Sequence, residues 1–244
     1  MHKGDTMDIF GLTLPSGRTI LDTDFEFLRM MVRLGFIRLS DVPFPLRSGI
    51  LSHVYVFGRE DITDNIFFER QVGARIALTV DGFMQKAQET RQACLIGIPT
   101  AGTVLAQAAA MMSWDERREA ATISHRTMRE QPKRHGAHGD QWVNGRPALE
   151  RHCYWLVDNV ATDGESKVEA AERLIADGYP AKEMPVLILV DRQQGAVARL
   201  KREGFAHVIV MYNLLDLTYA FGELGLWPKG AVRGVEEEIR AHQR

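Results

Sequence analysis

The sequence predicts an α/β fold with a parallel sheet and helices on both faces, and three observations carry that expectation. Short apolar runs alternate with helical stretches through the second half of the chain. The runs are continuously apolar, as strands buried on both faces are. Polar segments containing small residues follow them, at the carboxyl ends where open parallel sheets bind ligands.

Taken in order, residues 22–34, "DTDFEFLRMMVRL", open on acidic residues and place Phe25, Leu28, Met31 and Val32 on one face, which predicts a helix. "FPLRSGILSHVYVFGR", 44–59, reads as two short strands around a turn at Ser48–Gly49. Over 64–89, Phe68, Val72, Ile76, Val80 and Phe83 recur every three or four positions, a helical spacing that Gly73 and Gly82 weaken. Next come a strand "ACLIGI" (93–98), an alanine-rich helix "TVLAQAAAMM" (103–112) and a strand "HCYWLV" (152–157). A helix through "SKVEAAERLIADG", a strand "MPVLILV" (184–190), a helix "QGAVARLKREG" and a strand "AHVIVMY" (206–212) complete the alternation. Right-handed crossovers between such strands make the sheet parallel.

The 244 residues, 45% of them hydrophobic, suffice for one large domain or a core with an appendage. Lys and Arg number 30 against 32 Asp and Glu, a net charge of -2 that disfavours a general polyanion-binding surface, so no nucleic-acid partner is expected. Cys94 and Cys153 lie inside apolar runs and read as core thiols of a reducing compartment. The N-terminus lacks the apolar core of a secretion signal and no stretch approaches a membrane span. A cytoplasmic protein without a membrane partner is therefore expected.

Several site classes fail on spacing. No G-x-G-x-x-G follows a strand, and neither G-x-x-x-x-G-K-[ST] nor H-E-x-x-H occurs. The two cysteines are too far apart for a zinc motif. His135, His138 and Asp140 stand among Gly136 and Gly139, which points to a loop before a metal site.

What remains are three polar segments at strand ends: "PTAG", "DNVATDGES" and "DRQQG". In a doubly wound sheet these line one crevice. At Asp158 an apolar run stops, and Thr162, Gly164 and Ser166 follow at two-residue steps. Such a loop can aim successive N–H groups at a phosphate, with a helix N-terminus behind it. An ordinary strand–turn–helix corner, with Asp158 as its cap, is the alternative. "SHRTMREQPKRHGAHGDQW", 124–142, has no apolar face, and Pro132 interrupts any helix. It is either a solvated connection or a lid that carries cations to a phosphorylated substrate.

Together these motifs resemble the type I phosphoribosyltransferases, most closely their orotate-using branch. "LVDNVATDGES" is similar to the family's strand, acidic pair and phosphate loop. "FPLRSGILSHVYVFGREDI" is similar to the branch's N-terminal segment, with Ser48–Gly49, Ser52, Tyr55 and Arg59 in the matching order. "GIPTAG" resembles the diphosphate loop, "REQPKRHGAHG" the catalytic loop, and "VDRQQGAVARLKREG" the segment whose arginine helps hold the base carboxylate. The resemblance spans roughly residues 22–216.

It implies a five-stranded parallel core, 64–244, under a small N-terminal hood, 1–63. It also implies a homodimer in which one subunit's catalytic loop closes over its partner's site. The implied reaction joins orotate to 5-phospho-α-D-ribose 1-diphosphate (phosphoribosyl diphosphate) with Mg²⁺, giving orotidine 5′-phosphate and diphosphate. Catalytic roles then fall on Arg129, Lys133, His135 and Asp158, and phosphate binding on Thr162, Asp163, Gly164, Glu165 and Ser166. Thr100, Ala101 and Gly102 form the diphosphate loop, and Arg192 and Ser52 bind the base. The metal takes no direct protein ligand, with Asp158 reaching it through water or substrate. A transferase for another base and a non-catalytic nucleotide-binding homologue are the alternatives.

The chain also departs from the family. The second acidic residue is Asn159, Glu165 and Asp163 flank Gly164, Glu130 follows Arg129, and Ala101 stands where a lysine is common. His53 and Phe57 replace a proline and an aspartate of the N-terminal segment. Two carboxylates beside a phosphate are unfavourable unless they point away or pair with cations.

Overall fold

A computed structural model describes residues 11–46, 49–56, 63–117, 123–136 and 139–242, with side chains 115–117 outside the description. Ser48, Phe57, Arg59 and His138 lie outside the described residues.

The chain opens with a two-stranded hairpin, β1 (Gly11–Thr13) and β2 (Thr19–Leu21), which runs into α1 (Asp22–Arg33). Two aspartates in the first turn and Arg33 in the last complement the helix dipole. A second antiparallel hairpin follows, β3 (Ile37–Pro45) and β4 (Leu51–Val56). The expected strand pair of 44–59 is present, but its first strand begins earlier, at Ile37. In β4 burial alternates perfectly, with Ser52, Val54 and Val56 inward.

Helix α2 (Ile66–Lys86) is capped by the Asn65 side chain, which accepts from Phe68 N–H at 2.9 Å. Beyond it lie β5 (Gln92–Gly97), α3 (Ala101–Arg117), β6 (Ile123–Thr127), β7 (His152–Ala161), α4 (Glu165–Ala176), β8 (Val186–Asp191), α5 (Ala196–Arg202) and β9 (Val208–Asn213). The helices α6 (Leu214–Glu223) and α7 (Lys229–His242) follow. The five strands form one parallel sheet in the order β6-β5-β7-β8-β9.

Alternate side chains enter opposite layers. Leu95, Trp155, Val157, Leu187 and Leu189 join one core with α1, α2, α3, α6, α7 and the β3–β4 hairpin. Cys94, Ile96, Tyr154, Leu156, Val186 and Ile188 join a second core with α4 and α5. Both faces are covered, which explains the continuously apolar strands. Phe36, Ile37, Val54 and Val56 of the N-terminal segment belong to the first core, so that segment is packed onto the sheet's helical layer.

Two expectations change. The stretch 124–142 is not all loop: 123–127 is edge strand β6, paired to β5, and the loop begins after it. Nor does the strand end before Asp158. β7 continues to Ala161, with Asp158 opposite Ile188 and Ala161 opposite Asp191. Asp158 is therefore a residue of the strand interior and not a helix cap.

Candidate active site

The carboxyl ends of β5, β7 and β8 open into a cavity of about 670 Å³, roofed by Pro45, Leu46, Tyr55 and Val56 of the β3–β4 hairpin and its turn. Asp158 forms part of its lining and is 7% exposed. Lys167, in the first turns of α4, reaches back to it, with Nζ 2.6 Å from Asp158 Oδ2. The same ammonium donates to the Val160 carbonyl and lies 3.2 Å from Ser166 Oγ. Three protons meet three acceptors, which is what a lysine 2% exposed requires. The other oxygen, Asp158 Oδ1, accepts from Asn159 N–H at 2.9 Å. Asp191, on the neighbouring strand, is pushed up in pKa by burial, opposed by the Gln193 N–H bond and the charge of Lys167.

The small-residue loop after β7 faces the cavity. Thr162, Asp163, Gly164, Glu165 and Ser166 all line the cavity. Gly164 has φ +82° at the N-cap of α4, and a Cβ there would sit 3.3 Å from the Ala196 carbonyl, so glycine alone fits without strain. Gly164 has no side chain with which to cap α4, so Asp163 is the side chain that meets the helix's first amide. The two anomalous acids have local partners. Asp163 Oδ1 accepts from Glu165 N–H at 3.2 Å, and Glu165 pairs with Arg199 of α5 at 2.5 Å.

Between β5 and α3 the chain turns through Ile98–Ala101, with a cis peptide at Pro99–Thr100. Thr100 and Ala101 line the cavity. Gly102 lies behind them, where a Cβ would come within 2.3 Å of the Val157 carbonyl. A Cβ on Gly97 would meet the backbone of Gly102 at 2.1 Å. This pair of glycines lets the loop lie against β7, which brings the "PTAG" segment and Asp158 to one cavity.

On the β8 side, Arg192 lines the cavity yet is 2% exposed. It donates to the Val54 carbonyl at 2.8 Å and to Ser52 Oγ at 2.6 Å. Its Nη2 also faces Glu238 Oε1 of α7 at 3.3 Å. Burial lowers the pKa of this guanidinium, and Glu238 counteracts the shift. Ser52, on the inward face of β4, is fully buried and contacts Arg192 from behind the lining.

Of the predicted site residues, Gly102 and Ser52 lie behind the lining, and Arg129, Lys133 and His135 are not part of it in the single chain. Their loop is a two-armed excursion from β6, with Met128 bridged to Val143 and Arg129 N–H donating to the Trp142 carbonyl. Lys133 N–H donates to the Gln141 carbonyl at 3.2 Å. Asp177 Oδ2 accepts from the N–H groups of Trp142 and Val143, both at 2.8 Å, and fixes the base. Met128 and Val143 are buried, whereas Lys133, Arg134 and His135 are exposed. The loop is therefore anchored by an apolar pair at its root, which corrects the expectation of a segment without apolar anchoring; Lys133, Arg134 and His135 stand in solvent, whereas Arg129 is half-buried with Nη1 covered.

Sequence reasoning missed Lys167 and Glu238. Lys167 was detectable, because it occupies the apolar stripe of α4 with Ala170, Ala171 and Leu174, where a lysine needs a buried acid. Glu238 belongs to the run Glu236–Glu237–Glu238, and nothing in that run distinguishes one carboxylate from the others.

The five-stranded parallel sheet flanked by helices, with its N-terminal hairpins, matches the fold of solved phosphoribosyltransferases. No protein-family model matches the chain. A curated orotate phosphoribosyltransferase from Nostoc sp. is 33% identical over 98 residues, 40% of this chain and 45% of that relative, so the chain matches less than half the relative's length. Orotate phosphoribosyltransferase from Aeropyrum pernix superposes with a TM-score of 0.55 at 25% identity, over 82% of this chain and 99% of that one. Leishmania donovani UMP synthase matches with a TM-score of 0.69 at 21% identity, over 89% of this chain and 42% of that one. The Francisella tularensis orotate phosphoribosyltransferase matches at 0.63 with 13% identity, over 89% of this chain and 96% of that one. The latter two likenesses establish fold alone.

Proposed function

We propose that the chain is an orotate phosphoribosyltransferase, moving the 5-phosphoribosyl group from phosphoribosyl diphosphate to orotate. The carrying observation is the convergence of the "PTAG" loop, Asp158, the 162–166 loop and Arg192 on one roofed cavity. In this reading the 5′-phosphate rests over 162–166 at the start of α4, and Asp158 accepts hydrogen bonds from ribose hydroxyls. The diphosphate lies along Thr100–Gly102. The anomeric C–O bond breaks as the base nitrogen bonds to the anomeric carbon. Diphosphate leaves with the electron pair, and orotate loses its ring proton.

Leaving-group charge needs cations. The two cations among the described lining residues, Lys167 and Arg192, are already paired with Asp158 and Glu238. Arg129, Lys133 and His135 supply the missing charge when their loop closes. Because that loop stands away from its own cavity, closure over the cavity of a second subunit is the arrangement we favour. Exposed Leu78, Met111 and Trp114 on the α2–α3 layer are consistent with a homodimer. A Mg²⁺ ion bound with the donor would spread the charge of its diphosphate. Among the described residues no three His, Cys, Asp or Glu side chains cluster to hold a metal, and Asp158 already faces Lys167. No helix of the described residues is long and apolar enough to cross a membrane. A cytoplasmic setting, and a division into hood 1–63 and core 64–244, belong to the same reading. A transferase for a different base is the second reading, favoured by the engagement of Arg192 and Ser52 with Glu238.

Diphosphate release from phosphoribosyl diphosphate in the presence of orotate, uracil or purine bases tests both readings. Orotate-dependent release is expected, and release driven by another base alone would replace orotate. Lys133→Ala should lower turnover about 10²–10³-fold, the scale of a lost transition-state contact. Its stability should stay within about 0.5 kcal/mol of the parent, as for an exposed residue. Mixing inactive Lys133→Ala with inactive Asp158→Ala subunits should restore activity. Verified mixed dimers without activity would reject loop sharing.

A further inference from the structure

We infer that Glu238 is a specificity-determining residue, an internal carboxylate that fills the carboxylate-binding part of the base subsite and gives way to the carboxylate of an incoming base. The inference rests on the orotate reading for its ligand, but its geometry is independent of that reading. Four donors converge on one side chain. Ser52 Oγ–H lies 3.0 Å and His53 N–H 3.4 Å from Glu238 Oε2. Gln194 Nε2 lies 3.0 Å and Arg192 Nη2 3.3 Å from Glu238 Oε1. These donors come from β4 and from the segment after β8, whereas the acceptor comes from α7, a separate element. They form a recognition site for a carboxylate, with the guanidinium supplying the charge.

Two features make this carboxylate exchangeable. Arg192 belongs to the cavity lining, so the donor cluster adjoins the space where a base would sit. Helix α7 is also lightly held. Of its 14 residues only Val235 and Ile239 are buried, and Gly230 and Gly234 weaken the helix itself. Withdrawing Glu238 therefore disturbs two core side chains, Val235 and Ile239, and not a whole apolar face. Leaving Arg192 buried without a carboxylate would be costly, so exit of Glu238 must be coupled to entry of another carboxylate. A neutral pyrimidine such as uracil cannot drive that exchange, and discrimination between acidic and neutral bases follows.

Glu238→Gln keeps the shape and removes the charge. Calorimetry should show orotate binding about 10-fold tighter in this variant than in the parent, with uracil and phosphoribosyl diphosphate unchanged. On the unaltered protein, orotate should accelerate amide exchange across 229–242 relative to uracil, a readout that needs no variant. Orotate affinity that is unchanged or weaker in folded Glu238→Gln overturns the inference, as does unaltered exchange across α7 at orotate saturation. Should orotate bind and displace α7 without being converted, the transferase reading fails and the carboxylate exchange stands. If neither protein binds orotate, both fall.

Discussion

Two buried ion pairs on neighbouring strands of one cavity are built in opposite ways. Asp158 and Lys167 are nine positions apart in a single strand–loop–helix unit, and the lysine's protons are satisfied within that unit by Asp158, Val160 and Ser166. Arg192 and Glu238 are 46 positions apart, and the acid is brought in by a helix with two buried residues. Each pair removes one acid and one base from the charge available to a ligand. Opening the first would take Lys167 from Val160 and Ser166 as well as from Asp158, within the turn that carries the 162–166 loop. The second can open by moving α7. The difference assigns them different work: Lys167 fixes the direction of Asp158, and Glu238 holds a place.

Breaking the local pair should have the largest effect. Lys167→Met strands a buried carboxylate, and unfolding by denaturant should show a loss of about 3–5 kcal/mol. Binding of phosphoribosyl diphosphate should weaken with it, because the same lysine sets the geometry of 158–166. Adding Asp158→Asn removes the stranded charge and should return much of the stability without returning donor binding. A Lys167→Met protein of parental stability and donor affinity would erase the distinction between the two pairs.

Asp191, which directly precedes Arg192, sharpens the comparison through pH. Burial raises its pKa, so the folded value exceeds the unfolded value of about 3.9. A raised acid contributes its stability below the unfolded pKa and loses it as pH rises through the folded pKa. Ionising Asp191 in the folded protein is thus a cost that Lys167 reduces. Asp191→Asn, which keeps an acceptor for Gln193 N–H, should raise the melting temperature at pH 7, with the gain vanishing near pH 4 and below. Melting curves across that range are the check. The gain should grow in a Lys167→Met background, where no cation offsets the acid. A pH-independent difference would show that Asp191 carries no such burden.

The strand-end half of the site was legible because it is local. Apolar runs and the small-residue loops that follow them lie within a few positions of one another, and they pointed to Thr100–Gly102, Asp158 and 162–166, which the structure brings to one cavity or just behind its lining. The boundary at Asp158 misled because a charged residue ordinarily ends a buried strand, whereas here Lys167 lets the acid remain inside one. Strand β6, "ISHRT", escaped because an edge strand with His125 and Thr127 exposed carries no apolar run. The partner of Arg192 was beyond reach for a different reason. Three consecutive glutamates on a helix differ only in which way the helix faces, and tertiary packing decides that.

The smallest effect belongs to a third pair that serves as a control for the other two. Glu165 and Arg199 are 2.5 Å apart, but their side chains are 44% and 29% exposed. Water and salt screen such a pair, and holding two long side chains together costs entropy, so its worth is about 0–1 kcal/mol. Glu165→Gln should therefore change stability by less than about 1 kcal/mol. It also removes a negative charge from the loop proposed to hold the 5′-phosphate and frees Arg199 to face that loop. Donor binding should tighten a few-fold at low salt and converge on the parent as salt is raised. Equilibrium unfolding together with donor titrations at two ionic strengths measures both effects. A stability loss comparable to that of Lys167→Met would mean that distance, and not burial, sets the worth of these pairs, and the contrast between Lys167 and Glu238 would lose its physical basis.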